Sequence, residues 1–487
     1  MMTQYASRRR FLQQSACGFG SLALASMLQE SLAAANPLSI NPLAAKPGHL
    51  PTRAKRVIFL FMQGGPSQMD LFDYKPELEK RHGEPIPFDV RELQTEDGIE
   101  NSKLMKPIGK LSQYGKSGMW FSEHLPNLAS HADKICQLNA MWADNPAHPP
   151  AVMQMQTGYA IGTHPSLGSW VSYGLGTENE NLPAFMTIAP IASGDGGGPH
   201  LYHSAYLPAV HQGTPISSGS NKPGKQAMEA SEMIQYLERD GFPPLKQQRQ
   251  LDLINTLNRN LLAQTEVDAL MEGAIESFEL AFRMQMEAPK VLDLKDESTA
   301  TLAMYGIGEK ETDEFGRRCL MARRLAESGV RFIQVTQGGW DHHAQIASKL
   351  PEVCRSVDRP IAGLLADLKQ RGLLDDTLVV FTGEFGRSAY DQDLSQGAAA
   401  FESYGRGHNA VGFSAWLAGG GVKGDFIHGR TDEFGQKAIE GKTHVHDLHA
   451  TILHLLGLDH EKLTYRHAGR DFRLTDVHGS IIQEIIA

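Results

Sequence analysis

Residues 330–343 read VRFIQVTQGGWDHH. An apolar, β-branched run of strand length stops at Gly338 and Gly339, and the chain then presents Asp341, His342 and His343. Open α/β sheets take ligands in the crevice beyond the carboxyl ends of their strands. Asp and His are common ligands of zinc and related divalent ions. Asp341 and His343 are therefore candidate metal ligands, and the segments around them decide the fold.

A helical pattern over 315–328, closed by Gly329, feeds this strand, and another over 350–371, closed by Gly372, leaves it. The next strand, 377–381, ends in TGEFGR, which carries Glu384 and Arg387. Strand–helix–strand alternation predicts an α/β fold, a doubly wound and mostly parallel sheet with helices on both faces. Further back, RVIFLFM at 56–62 is a continuous apolar run, as expected of a strand buried on both faces. It breaks at QGGPSQMD, 63–70, where Ser67 or Asp70 faces the same crevice unless the stretch is a simple turn before a capped helix. A fourth strand, 413–418, follows a loop with His408 in GRGHN, 405–409. Shorter strands are expected at 135–141 and 185–189, and helices at 125–132, 151–156, 167–175 and 447–456. The glycine-rich 194–198 has no phosphate-binding fingerprint. From 245 to 286 the chain is strongly helical, with Leu251, Ile254, Leu257 and Leu261 at three- and four-residue steps. This predicts a helical insertion over 245–310, either a lid-like hairpin or a crossover pair covering the sheet.

Strand ends carrying Ser67 or Asp70, Asp341 with His343, and Glu384, together with His408, point to one divalent metal centre. Mixed carboxylate and imidazole ligands suit Zn²⁺ or Mn²⁺ better than Mg²⁺ or Ca²⁺.

Among 487 residues, 46 Lys and Arg stand against 56 Asp and Glu, a formal charge of −10. With no long basic run past the N-terminus, nucleic acid is not an expected partner. The four cysteines show neither CxxC spacing nor the density of a disulfide framework. At the N-terminus, SRRRFL at 7–12 precedes a mild apolar run over 16–28 and three alanines at 33–35, the order of an export signal. Its paired arginines followed by Phe-Leu resemble the twin-arginine signal. The expected organisation is a signal at 1–35, a linker at 36–54 and an α/β domain at 55–487. Its partner is the twin-arginine export machinery, its location periplasmic or secreted, and no later stretch of about 18 apolar residues would span a membrane.

The order of these elements resembles the alkaline phosphatase and sulfatase superfamily. More closely, FMQGGPSQMD at 61–70, GWDHH at 339–343, TGEFGR at 382–387 and LHATIL at 448–453 resemble the exported, sulfatase-like domain-of-unknown-function family 1501. The resemblance implies that Asp341, His343 and His408 ligate one metal, and that Glu384 stands for the aspartate of an Asp-His pair. Phe385 stands where that pair's histidine would be, which removes a nitrogen ligand from a second metal. Ser67 or Asp70 would fill the early strand-end role. The position of the superfamily's nucleophile falls on or near His148, and no Cys-x-Pro-x-Arg sulfatase signature occurs, so a formylglycine mechanism is not expected. What remains is attack by a metal-activated water, with His148 as acid or base and Arg387 or Arg406 clamping the anion. The implied activity is metal-dependent hydrolysis of phosphate or sulfate esters. The alternative is a non-catalytic exported binding protein for an anionic polysaccharide, with a degenerate metal site.

Overall fold

The computed structural model describes residues 42–89, 101–189, 201–218, 269–392 and 403–487, with scattered positions between 198 and 257. The expected export signal, most of the glycine-rich loop and part of the helical insertion lie outside the described residues. In chain order the strands that build the site are Arg56–Met62 (β1), Ile135–Trp142 (β2), Phe185–Ala189 (β3), Thr214–Ser217 (β4), Phe332–Gln337 (β5), Thr377–Thr382 (β6), Gly386–Asp391 (β7), Arg406–Asn409 (β8), Phe413–Ala418 (β9), Phe426–His428 (β10) and Thr443–His444 (β11). The helices are His148–Thr157 (α1), Leu167–Leu175 (α2), Ala269–Leu292 (α3), Asp313–Glu327 (α4), Ile346–Gln370 (α5) and Val445–Leu455 (α6).

β1 is buried along its whole length because it pairs in parallel with β5 on one side and β6 on the other. Successive side chains of a strand point to opposite faces, and β1 divides accordingly. Ile58, Leu60 and Met62 enter a core with Leu320 and Leu325 of α4 and Leu364 and Leu365 of α5. Val57, Phe59 and Phe61 enter a second core with Val152 of α1, Trp170 of α2 and Ile452 of α6. Two helical layers around one sheet make an α/β fold. The central sheet runs β10-β2-β9-β6-β1-β5-β3-β4, with β11 also on β2.

The sheet is mixed and mostly parallel: among the described strands of the path, β9 runs against its neighbours β6 and β2. Apolar content marks Phe413–Ala418 as a buried strand but carries no direction. Since β2 and β6 are both antiparallel to β9, they are parallel to each other. The carboxyl ends of β1, β2, β5 and β6 therefore share one edge, where β9 begins. Helix α5 starts at Ile346 rather than 350, and the described part of the insertion, α3, packs Ala288, Val291 and Leu292 into the core shared with α4.

The stretch carrying His408 was expected as a loop and is strand β8, paired antiparallel with β7. This hairpin is fastened under β1 by a buried ion pair. Arg406 Nε and Nη2 donate to the two carboxylate oxygens of Asp70 at 2.8 and 3.1 Å, and both side chains are fully buried. Ser67 Oγ donates to the same carboxylate at 2.5 Å and the Ile108 N–H at 2.8 Å, while other Arg406 donors reach the carbonyls of Ser388 and Lys106. Ser67 and Asp70 thus lie apart from the side chains grouped at the sheet edge, and Arg406 is turned inward rather than toward an anion; Asp70 accepts from both Ser67 and Arg406 inside the protein.

A second fastening is steric. Gly64, at φ +116°, brings the loop after β1 against the loop after β5, and a Cβ on it would lie 2.5 Å from the Asp341 nitrogen. Gly64→Ala is expected to lower stability by about 3 kcal/mol or more, combining left-handed strain with overpacking. Asp70→Ala, which leaves Arg406 buried and uncompensated, is expected to cost about 3–5 kcal/mol, against about 1 kcal/mol for Ser67→Ala. Urea unfolding monitored by tryptophan fluorescence reads all three, and equal losses for Asp70→Ala and Ser67→Ala would refute the ion pair's role.

Candidate metal centre

Four side chains from separate segments meet at the shared sheet edge. His148 is the first residue of α1, delivered by β2. Asp341 and His343 lie in the loop after β5, and His408 stands on β8 opposite Arg387 of β7. Asp341 Oδ1 lies 2.8 Å from His343 Nε2, 3.3 Å from His148 Nε2 and 3.5 Å from His408 Nε2. One ligand atom from each of the four falls within 4.8 Å of the others. The His408 ring lies 4.4 Å from that of His148 and 4.5 Å from that of His343, centroid to centroid. Asp341 is the exposed member, at 39 % of its side chain, whereas His408 is at 4 %, so the centre opens over the carboxylate.

What stands behind the rings decides what they can bind. His148 Nδ1–H donates to Glu384 Oε1 at 2.7 Å. His343 Nδ1–H donates to Gln392 Oε1. A carboxylate or amide oxygen only accepts, so in the neutral ring the proton sits on Nδ1 and the Nε2 lone pair faces the centre. This is the arrangement found behind metal-bound histidines. His148, Asp341, His343 and His408 therefore fit a divalent ion: three imidazole nitrogens and one carboxylate oxygen, the donor set of zinc and related metals.

The electrostatics agree. Burial works to raise the Asp341 carboxyl, but the imidazoles of His148, His343 and His408 that face it and the charge of Arg387 override it and hold the group far below the usual carboxylate range. Burial alone would lower His148, but its bonds to Asp341 and Glu384 push it up to about 9. His408 is lowered, first by burial and then by the charge of Arg387. The centre thus draws positive charge toward Asp341 and His148.

Other expected site residues take different places. Glu384, fully buried, reaches the group through His148 and not with its own oxygens, and both of those accept the Gly64 N–H at 2.9 and 3.1 Å. Arg387 is also fully buried. Its guanidinium donates to Asp341 Oδ1 at 2.6 Å, to the Gly65 and Arg406 carbonyls at 3.0 and 3.1 Å, and to the Gly64 carbonyl. It orients Asp341 from behind rather than reaching out to an anion. His148, expected as acid or base, sits among the four side chains of the candidate group. Sequence reasoning missed Gln392, an unremarkable glutamine marked by no motif.

A second group, Asp144, His444 and His446, also draws its ligand atoms within 4.8 Å. Here the tautomer is wrong. His444 Nδ1 accepts the His446 backbone N–H at 3.2 Å as the N-cap of α6, so the neutral ring carries its proton on Nε2, the nitrogen 3.3 Å from Asp144. His444 caps a helix.

No curated protein matches the chain in sequence. Several solved structures are similar to the chain at low identity. A sulfatase from Pseudoalteromonas sp. is 12% identical at TM-score 0.34, over 84% of this chain and 69% of that one. The lipoteichoic acid synthase LtaP from Listeria monocytogenes is 9% identical at TM-score 0.36, over 89% and 78%. A protein in the alkaline phosphatase superfamily from Vibrio parahaemolyticus is 9% identical at TM-score 0.34, over 86% and 70%. By sequence, the profile described as "Protein of unknown function (DUF1501)" matches residues 54–486, and the chain belongs to that family.

Proposed function

We propose that this chain is an exported, divalent-metal-dependent hydrolase of phosphate or sulfate esters. One observation carries the metal half of this reading: three imidazole Nε2 atoms converge on one carboxylate oxygen, and acceptors behind two of the rings fix the tautomer that leaves Nε2 free to ligate. The ester half is supported by the likeness of the strand-end motifs to the alkaline phosphatase and sulfatase superfamily, and export by the paired arginines at 8 and 9. Among the described residues no helix is long and apolar enough to cross a membrane.

Bound there, a divalent ion supplies Lewis acidity toward an ester oxygen and toward the attacking water. The chain's own groups set the stage. Arg387 fixes Asp341, Glu384 fixes His148, and the exposed edge of Asp341 is where a substrate approaches. At the start of α1, where a Ser, Thr or Cys nucleophile would stand, the chain has His148. Water is accordingly the nucleophile, and the donor set favours Zn²⁺ or Mn²⁺.

Two measurements test this. Zn²⁺- or Mn²⁺-loaded protein is expected to hydrolyse nitrophenyl phosphate or nitrophenyl sulfate, and Asp341→Ala and His343→Ala to reduce the rate to background. Activity surviving either substitution removes the metal from the mechanism, and loaded protein inert on both esters favours the binding-protein reading. The second measurement concerns pH. Without a cation, His148 keeps its proton up to about pH 9, and a metal must displace it. Apparent affinity should therefore rise by about tenfold per pH unit toward pH 9 and level off above it. Calorimetry in buffers of differing ionisation enthalpy should detect about one proton released per metal at pH 7, and no release would contradict the assignment of His148.

A further inference from the structure

We infer that Glu384 is a positioning residue, which holds the His148 ring and its Nδ1 proton in place for the cation without ligating it. The inference rests on the reading of the four-residue group as a metal centre. Glu384 lies just past the end of β6, is fully buried, and is not among the side chains whose ligand atoms lie within 4.8 Å of one another. Its Oε1 accepts at once from His148 Nδ1 at 2.7 Å and from the Gly64 N–H at 2.9 Å. Gly64 is itself locked by its close approach to the Asp341 backbone. His148 arrives from β2, across the antiparallel β9, whereas Glu384 and Gly64 follow the adjacent strands β6 and β1. The carboxylate is thus the tie between the outlying histidine and the rigid middle of the sheet.

The contrast with His343 sharpens the role. Behind His343 stands the neutral amide of Gln392; behind His148 stands a charge. Hydrogen bonds to an ionised acceptor are roughly twice as strong as neutral ones, and they make the far nitrogen a better electron donor to a metal. Without the carboxylate, the ring is free to turn and to carry its proton on Nε2, and one of three nitrogen ligands is lost. Glu384→Gln separates charge from geometry. An amide oxygen in the Oε1 position still accepts from both His148 and Gly64, so the ring stays in place but loses the charged partner.

The test uses the full chain, freed of metal by chelation and titrated with Co²⁺. Its visible absorption reports ligand number and geometry. Wild type is expected to bind one equivalent at this centre, and His343→Ala and Asp341→Ala to abolish it. Glu384→Ala should bind about 10–100-fold more weakly with an altered spectrum. Glu384→Gln should keep the wild-type spectrum and show a smaller loss of affinity. Unchanged affinity in both Glu384 variants overturns the inference and leaves the metal centre standing. Loss of binding in Glu384→Gln as complete as in His343→Ala, with an unchanged thermal midpoint, also overturns it, because Glu384 would then be a ligand. Co²⁺ binding that survives Asp341→Ala and His343→Ala refutes the metal centre itself. If Glu384→Ala fails to unfold cooperatively, the isosteric Glu384→Gln decides alone.

Discussion

One carboxylate oxygen organises this protein's candidate site. Asp341 Oδ1 has the Arg387 guanidinium at 2.6 Å behind it and three imidazole Nε2 atoms within 3.5 Å in front. Four nitrogen groups crowd a single acid, and the only other carboxylate bonded to any of these rings among the described contacts is Glu384, through His148. Such an arrangement is stable while the rings face Asp341 with shared protons or share a cation with it. It would not be retained by packing alone, since polar groups withdrawn from water without partners are costly. The fold serves this convergence: one sheet edge gathers the ends of β1, β2, β5 and β6, and the β7–β8 hairpin adds the fourth group from outside.

Much of this was legible in the sequence for a definite reason. Strands buried on both faces read as unbroken apolar runs, and RVIFLFM and TLVVF end where the structure ends them, to within one residue. Their ends are marked by glycines, so Asp341, His343 and Glu384 could be placed at the crevice without coordinates. His408 was found through its motif, although the hairpin that holds it was not. Its strands are four and six residues long and separated by a segment with no periodic pattern, so only pairing across that gap reveals them.

What sequence could not supply is which way a side chain turns once its backbone is at the right edge. Ser67 and Asp70 follow the end of β1 within one short loop and helix, much as Asp341 follows that of β5, yet Asp70 turns beneath the loop to meet Arg406 and Ser67 bonds to Asp70. The deciding partner is 336 residues away, and nothing local announces it. The same holds for Arg387. It was expected, with Arg406 as the alternative, to clamp an anion, but its donors are directed to backbone carbonyls and Asp341. Gln392 belongs to this class as well: its role is created by the position of His343 and not by any pattern around itself.

His148 shows how these long-range contacts set chemistry. It opens a helix, and a helix N-terminus disfavours a cationic side chain, as does burial. Glu384 and Asp341 favour one and prevail, lifting the ring to about 9. The group therefore carries a proton at neutral pH at the spot where a divalent ion would bring its own charge. Uptake of a divalent ion would replace that single positive charge with two beside the same two carboxylates, with the helix end and the neighbouring histidines helping to expel the proton. A neutral residue at this position would leave Glu384 buried against nothing but a backbone N–H, so the histidine and the carboxylate behind it must be explained together.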